Sequence, residues 1–245
     1  MLESSDFQTL NAERILETIV RLQRRIDERF PRGGLRNVCR QLQIVGEQAR
    51  ERSEWIRHPI VGLRILSAIL AGVLIAILSF LLQRVALPSA DLDLVQFAQL
   101  LESAVNDVVL LGAAIFFLVT IETRIKRARA LRALHELRSL AHLIDIHQLT
   151  KDPQRLMGNF SGTASSPQSD VSAFELSRYL DYCSEMLSLI GKIAVLYVQD
   201  FDDSVVLASV NEVEQLAAGF SNKIWQKLII IHTASDASAA LSGQL

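Results

Sequence analysis

Apolar residues recur along this chain at the three-and-four spacing of helices, and in two places the polar positions between them disappear. Ile15, Ile19, Leu22 and Ile26, continued by Phe30, predict a first helix with one buried seam. Pro31, Gly33 and Gly34 end it, because proline cannot continue a helix and glycine permits the turn. A second stripe at Leu35, Val38, Leu42, Val45 and Ala49 completes an N-terminal helical hairpin over residues 1–58.

The pattern then changes. Ile65 to Leu82 is eighteen residues without a charge, and Val108 to Ile121 is a second, shorter apolar run. An apolar helix needs about 20 residues to cross the ~30 Å hydrocarbon layer, so the expected spans are 59–82 and 104–122, the second taking Asn106 and Asp107 into the interface. The first run lacks the polar stripe of a surface helix, which argues against a soluble hairpin. Between them lies a short acidic loop, 83–103, and beyond them a cytoplasmic extension of the second helix, 123–150, with no breaker before Asp152 and Pro153.

Residues 151–171 read as a linker, rich in glycine, serine, threonine and proline from Gly158 to Asp170. A C-terminal hairpin follows over 172–232. Ser172 and Glu175 match a capping box, and Leu176, Leu180, Cys183, Leu187, Ile190, Ala194 and Tyr197 keep a heptad rhythm suited to coiled-coil packing. A parallel stripe at Tyr179, Tyr182, Met186, Leu189, Ile193 and Leu196 gives this helix two seams, which need at least two neighbours. Asp200, Asp202 and Asp203 cap the next helix, whose stripe runs from Val206 to Ile231. Residues 233–245 are small and polar enough to fray.

The expected fold is therefore all-α: a two-pass transmembrane hairpin with a cytoplasmic bundle built from both terminal hairpins and the extension of the second span. Charge sets the orientation. Arg50, Arg52 and Arg57 precede the first span, and Arg124, Lys126, Arg127, Arg129 and Arg132 follow the second, whereas the loop holds Arg84 against Asp91, Asp93, Glu102 and Asp107. Both termini are expected in the cytoplasm, in a bacterial inner membrane. Trp55, Arg57, Arg64, Arg124, Lys126 and Arg127 are the expected interface residues, with Arg64 snorkelling to the headgroups. The first residues lack a basic start and an apolar core, so no cleaved signal is expected.

Composition adds little to this. At 245 residues, 50% apolar and a net charge of −2, about 200 residues remain outside the spans, enough for one helical domain. The basic collar reads as topology and lipid contact, and no nucleic acid is expected from arginines that hug the membrane. Cys39 and Cys183 read as packed cytoplasmic thiols.

Candidate chemistry gathers at His135, Glu136, Arg138, His142, Asp145 and His147. His135 and His142 lie two turns apart on one face beside Asp145, so these three are the metal candidates if another helix contributes a ligand. Zinc-protease spacing is absent, since the position four after His135 is Ser139, and polar surface or interhelical contacts are the simpler expectation. Arg129 to His135, an arginine and a histidine with five residues between them, resembles the spacing in HEPN-type ribonucleases, also all-helical; the resemblance implies acid–base and phosphate work at a dimer cleft. Topology accounts for Arg129 without it.

No Walker loop, dinucleotide fingerprint, paired-cysteine motif or serine elbow occurs, so neither a cofactor nor an enzyme is expected. Ala68, Gly72 and Ala76 form a small-residue ridge that permits close helix approach in lipid, either to the second span or to another copy. The expectation is a membrane-anchored scaffold or regulatory protein, oligomeric, binding itself or a cytoplasmic protein partner. The alternative is a homo-oligomeric pore, with Ser67, Ser79 and Thr120 as the polar residues well inside the spans. In outline the two spans and their flanks resemble the two-span membrane effectors of bacterial defence systems.

Overall fold

A computed structural model describes residues 9–85, 94–153 and 172–242, and every regular element among them is an α-helix. The helices are α1 (Ala12–Arg29), α2 (Gly34–Arg57), α3 (Val61–Val85), α4 (Leu94–Leu149), α5 (Ala173–Val195) and α6 (Ser204–Ser242). They fall into two compact units, residues 1–57 with 129–245, and residues 58–128.

Local chemistry sets the ends of the helices. The Asn11 side chain accepts from the Glu13 and Arg14 amides at the start of α1, and the Phe30 amide donates back to the Ile26 carbonyl at 2.7 Å before Pro31 stops the helix. At α5 the capping box forms: the Ser172 hydroxyl accepts from the Glu175 amide while the Glu175 carboxylate accepts from the Ser172 amide. Of the three aspartates before α6, Asp203 takes the cap, accepting from Val205 and Val206, both at 3.1 Å.

In the first unit α5 is central. It packs against α6, α1 and α2, and α1 packs against α2. Both α5 seams are buried, from Leu176 and Tyr179 to Ile193 and Ala194. The later part of α4 joins the same core through Ala130, Ala133, Leu134, Leu137, Leu140, Ala141 and Ile144. Fully burying each leucine or isoleucine is worth about 1.5–3 kcal/mol, and the alanines between them let the helices approach closely.

The second unit is different in kind. Its two apolar helices are long enough to cross a membrane, and their apolar windows are 0% and 6% buried. Ile65, Leu66, Ile69, Val73, Val109, Leu110, Phe116 and Phe117 are all exposed. Among the described residues the half-buried positions include Leu63, Ser67 and Ala71 on α3 and Leu111, Ile115, Leu118, Thr120 and Ile121 on α4, and the hydrogen bond from Ser67 to the Leu118 carbonyl places the seam between the helices among them. Ala68, Gly72 and Ala76 are exposed, and a Cβ added at Gly72 would meet nothing within 4 Å. The small-residue ridge is thus offset by one residue from the intrachain seam.

Several boundaries differ from those the sequence suggests. Helix α3 extends to Val85, and α4 begins at Leu94, ten residues before Ala104, because Leu94 to Ser103 contains neither proline nor glycine. Helix α6 continues to Ser242 through a run with four alanines, Ala234, Ala237, Ala239 and Ala240, so part of the supposed tail is helical. Most of the linker, together with residues 1–8, 86–93 and 243–245, lies outside the described residues.

Candidate functional site

Polar groups inside an apolar core are the informative exceptions to burial, and here they gather at the C-terminal end of α4. Gln148 is fully buried. Its Nε2 donates to Asp145 Oδ1 at 2.6 Å, while its Oε1 has no hydrogen-bond partner. From α6, Lys227 Nζ donates to the carbonyls of Gln148 at 2.6 Å and Lys151 at 3.0 Å. An ammonium group thus satisfies acceptors that the end of α4 leaves open, on the side favoured by the helix dipole. Burial holds Lys227 below the usual lysine range, an effect opposed by Asp152 and Asp145.

Neighbouring groups complete this cluster. Lys151 Nζ stands 5.0 Å from the centre of the Tyr179 ring. The Cys183 thiol is pushed up to about 12 by burial. It is therefore an inert, protonated thiol, and the same holds for Cys39. His147 packs against the start of α2 so closely that a Cβ added at Gly34 would lie 2.6 Å from its Cε1. The cluster fastens α4 to α2 and α6; its amine is occupied with backbone carbonyls and its thiol is protonated.

A second cluster lies in the unit of residues 58–128. Glu122 is 9% exposed and accepts from three donors: Arg64 Nε at 2.6 Å, Lys126 Nζ at 2.9 Å and the Ile60 amide at 3.3 Å. Arg64 is thus tied to α4 while most of its side chain stays exposed. Lys126, expected at the interface, is 6% exposed and paired. Ser67 Oγ, at 3.4 Å from the Leu118 carbonyl, adds a second polar link between α3 and α4.

The remaining sequence candidates are scattered. His135 and His142 are exposed; the His142 ring meets Phe220 edge-on at 5.4 Å, and Asp145 accepts from Gln148. Among the described residues no group of three or more His, Cys, Asp or Glu side chains is arranged to hold a metal. Glu136 pairs with Arg52 at 2.8 Å, Arg138 with Glu212 at 3.3 Å and Arg57 with Asp200 at 3.8 Å. Arg129 lies 3.9 Å from the centre of the Trp55 ring, so this tryptophan is engaged within the bundle. Arg124 stands 5.8 Å over Phe117, and Arg127 is half-buried.

Sequence reading missed Glu122, Gln148 and Lys227. Glu122 had a signal, a carboxylate closing an apolar run with a lysine one turn on. Lys227 falls beside Gln226 between Ile224 and Leu228 of the apolar stripe, and no sequence signal marks it. Gln148 had none. Comparison with protein-family models, curated proteins and solved structures finds no match to this chain.

Proposed function

We propose that this chain is a membrane-anchored helical scaffold or regulatory protein, with α3 and the first part of α4 crossing the bilayer, both termini cytoplasmic, and a cytoplasmic bundle that binds itself or a protein partner. The observation carrying it is the contrast between the units: one buries its apolar side chains in a shared core, the other exposes them around two long helices. Water would not tolerate that much apolar surface on helices lacking a polar face, and lipid does. The orientation follows from the excess of arginine outside the connecting loop.

Self-association is supported by the ridge of Ala68, Gly72 and Ala76, left uncovered by the chain's own second span. Of the three polar residues that the pore alternative would use, Ser67 bonds to the Leu118 carbonyl and Thr120 to carbonyls of its own helix, Phe116 and Phe117, which leaves Ser79 as the exposed one.

Topology is tested by single cysteines at Ser4, Ser89 and Gly243, since the native thiols are buried. A membrane-impermeant maleimide applied to intact spheroplasts should label Ser89→Cys alone. Labelling at either terminus would reject the orientation. The detergent-corrected mass in solution, by light scattering, should exceed one chain and fall in Gly72→Leu; a monomeric wild type would remove the assembly part.

A further inference from the structure

The arginines of the α1–α2 hairpin are distinct from those flanking the spans. From Arg21 to Arg40 the chain has seven arginines against two carboxylates, Asp27 and Glu28, a local charge of +5 in a protein of −2 overall. The first lysine is Lys126, so the cationic side chains of this hairpin are all guanidinium groups, planar forks suited to paired phosphate oxygens.

The structure sorts these arginines by role. Arg25 grips Glu185 through both terminal nitrogens, at 2.8 and 3.1 Å, and Arg36 Nε lies 2.8 Å from Asp27. Arg25 and Arg178 stand 5.0 and 5.2 Å over the Tyr182 ring, beside a cleft of about 380 Å³. Arg24, Arg32 and Arg40 are exposed and have no ion pair among the described residues. Because α1 and α2 are joined by a tight turn, stepping one turn from the Asp27–Arg36 pair along each helix, away from that turn, reaches Gln23 and Arg24 on one and Arg40 on the other. The bound arginines thus form a fixed frame, and the unpaired ones remain available.

Aromatic surface accompanies the charge. Phe174, at the start of α5, is 62% exposed with Arg29 5.2 Å over its ring. A nucleobase can stack on such a surface. The hairpin turn also sits at the opposite end of α2 from Arg57, where the chain leaves for the apolar helices, about 36 Å along a helix of 24 residues.

We propose that the arginine-rich end of the α1–α2 hairpin binds nucleic acid, holding the phosphate backbone with Arg24, Arg32 and Arg40 and stacking exposed bases against Phe174. This differs from the expectation drawn from the collar because other arginines carry it. Binding is sequence-independent and strongest for single strands, whose bases are free to stack.

The test is fluorescence anisotropy of labelled single-stranded RNA, single-stranded DNA and duplex DNA of equal length with the full chain in nanodiscs of neutral lipid. Binding at about 50 mM salt should weaken steeply as salt rises. In Arg24→Ala/Arg32→Ala/Arg40→Ala it should fall about tenfold or more, and the slope of log K against log salt should become shallower by about 2. Phe174→Ala should weaken single strands more than duplex. The control Arg124→Ala should bind like wild type, and unchanged helical circular dichroism confirms folding of each variant. No salt-sensitive binding, equal binding by the triple variant, or capture of phosphatidylserine vesicles in place of every nucleic acid would overturn the proposal.

Discussion

Arg64 Nε lies 2.6 Å from Glu122 Oε2, so the first turn of α3 is tied to a carboxylate on α4. The same carboxylate serves Lys126 and the Ile60 amide. Removing the shared acceptor strands several donors, whereas removing one donor strands none. Glu122→Gln is therefore expected to lower stability by about 1–3 kcal/mol and Arg64→Gln by clearly less, measured as thermal midpoints in one detergent. Equal losses would mean that Glu122 serves Arg64 alone.

Lys227 holds the last carbonyls of α4 from another helix. Lys227→Met retains the stem and loses both hydrogen bonds, at an expected cost of about 1–3 kcal/mol. Amide exchange should quicken selectively in the last turn of α4. A uniform rise across the bundle would show instead that the effect is global.

His147 should give the bundle an acid sensitivity. Burial, with Lys151 nearby, holds the imidazole below its ordinary value of 6.5. As pH falls through 6.5 the unfolded chain takes the proton first, so stability is lost progressively on acidification until the folded imidazole is also protonated. Urea midpoints at pH 7.5 and 5.5 should differ more for wild type than for His147→Gln. An unchanged difference would assign the sensitivity to other groups.

Gly46 sits where α1 and α5 converge on α2: a Cβ there would be 3.0 Å from Leu16 Cδ2 and 3.2 Å from Ile19 Cδ1. Gly46→Leu must displace buried side chains and should destabilise by about 1–3 kcal/mol, read by chemical denaturation. A neutral result would mean that the three helices separate easily.

The legible part of this fold was the part written in periodicity. Seams on α1, α2, α5 and α6 follow from apolar spacing, and the two apolar helices follow from its absence. The start of α4 was harder, because the polar residues of Leu94 to Ser103 look like loop until one notes that no breaker interrupts them. The polar clusters were mostly hidden. Asp145 and Gln148 are three apart and bond locally, but Lys227 reaches Gln148 across 79 positions of sequence, a pairing that only the folded packing of α6 against α4 creates. The histidines show the opposite effect: helical spacing aligns His135 with His142, yet alignment on one exposed face supplies no enclosing ligands.

The stacking of Arg129 on Trp55 has a practical consequence for optical work. The chain has two tryptophans, and they occupy contrasting surroundings: Trp55 is half-buried beneath a guanidinium, while Trp225 is 62% exposed. Their emission should differ in both colour and quenching by iodide. Trp55→Phe leaves a reporter of the α6 surface, Trp225→Phe one of the junction between α2 and α4, so the two places can be followed separately without attaching a dye.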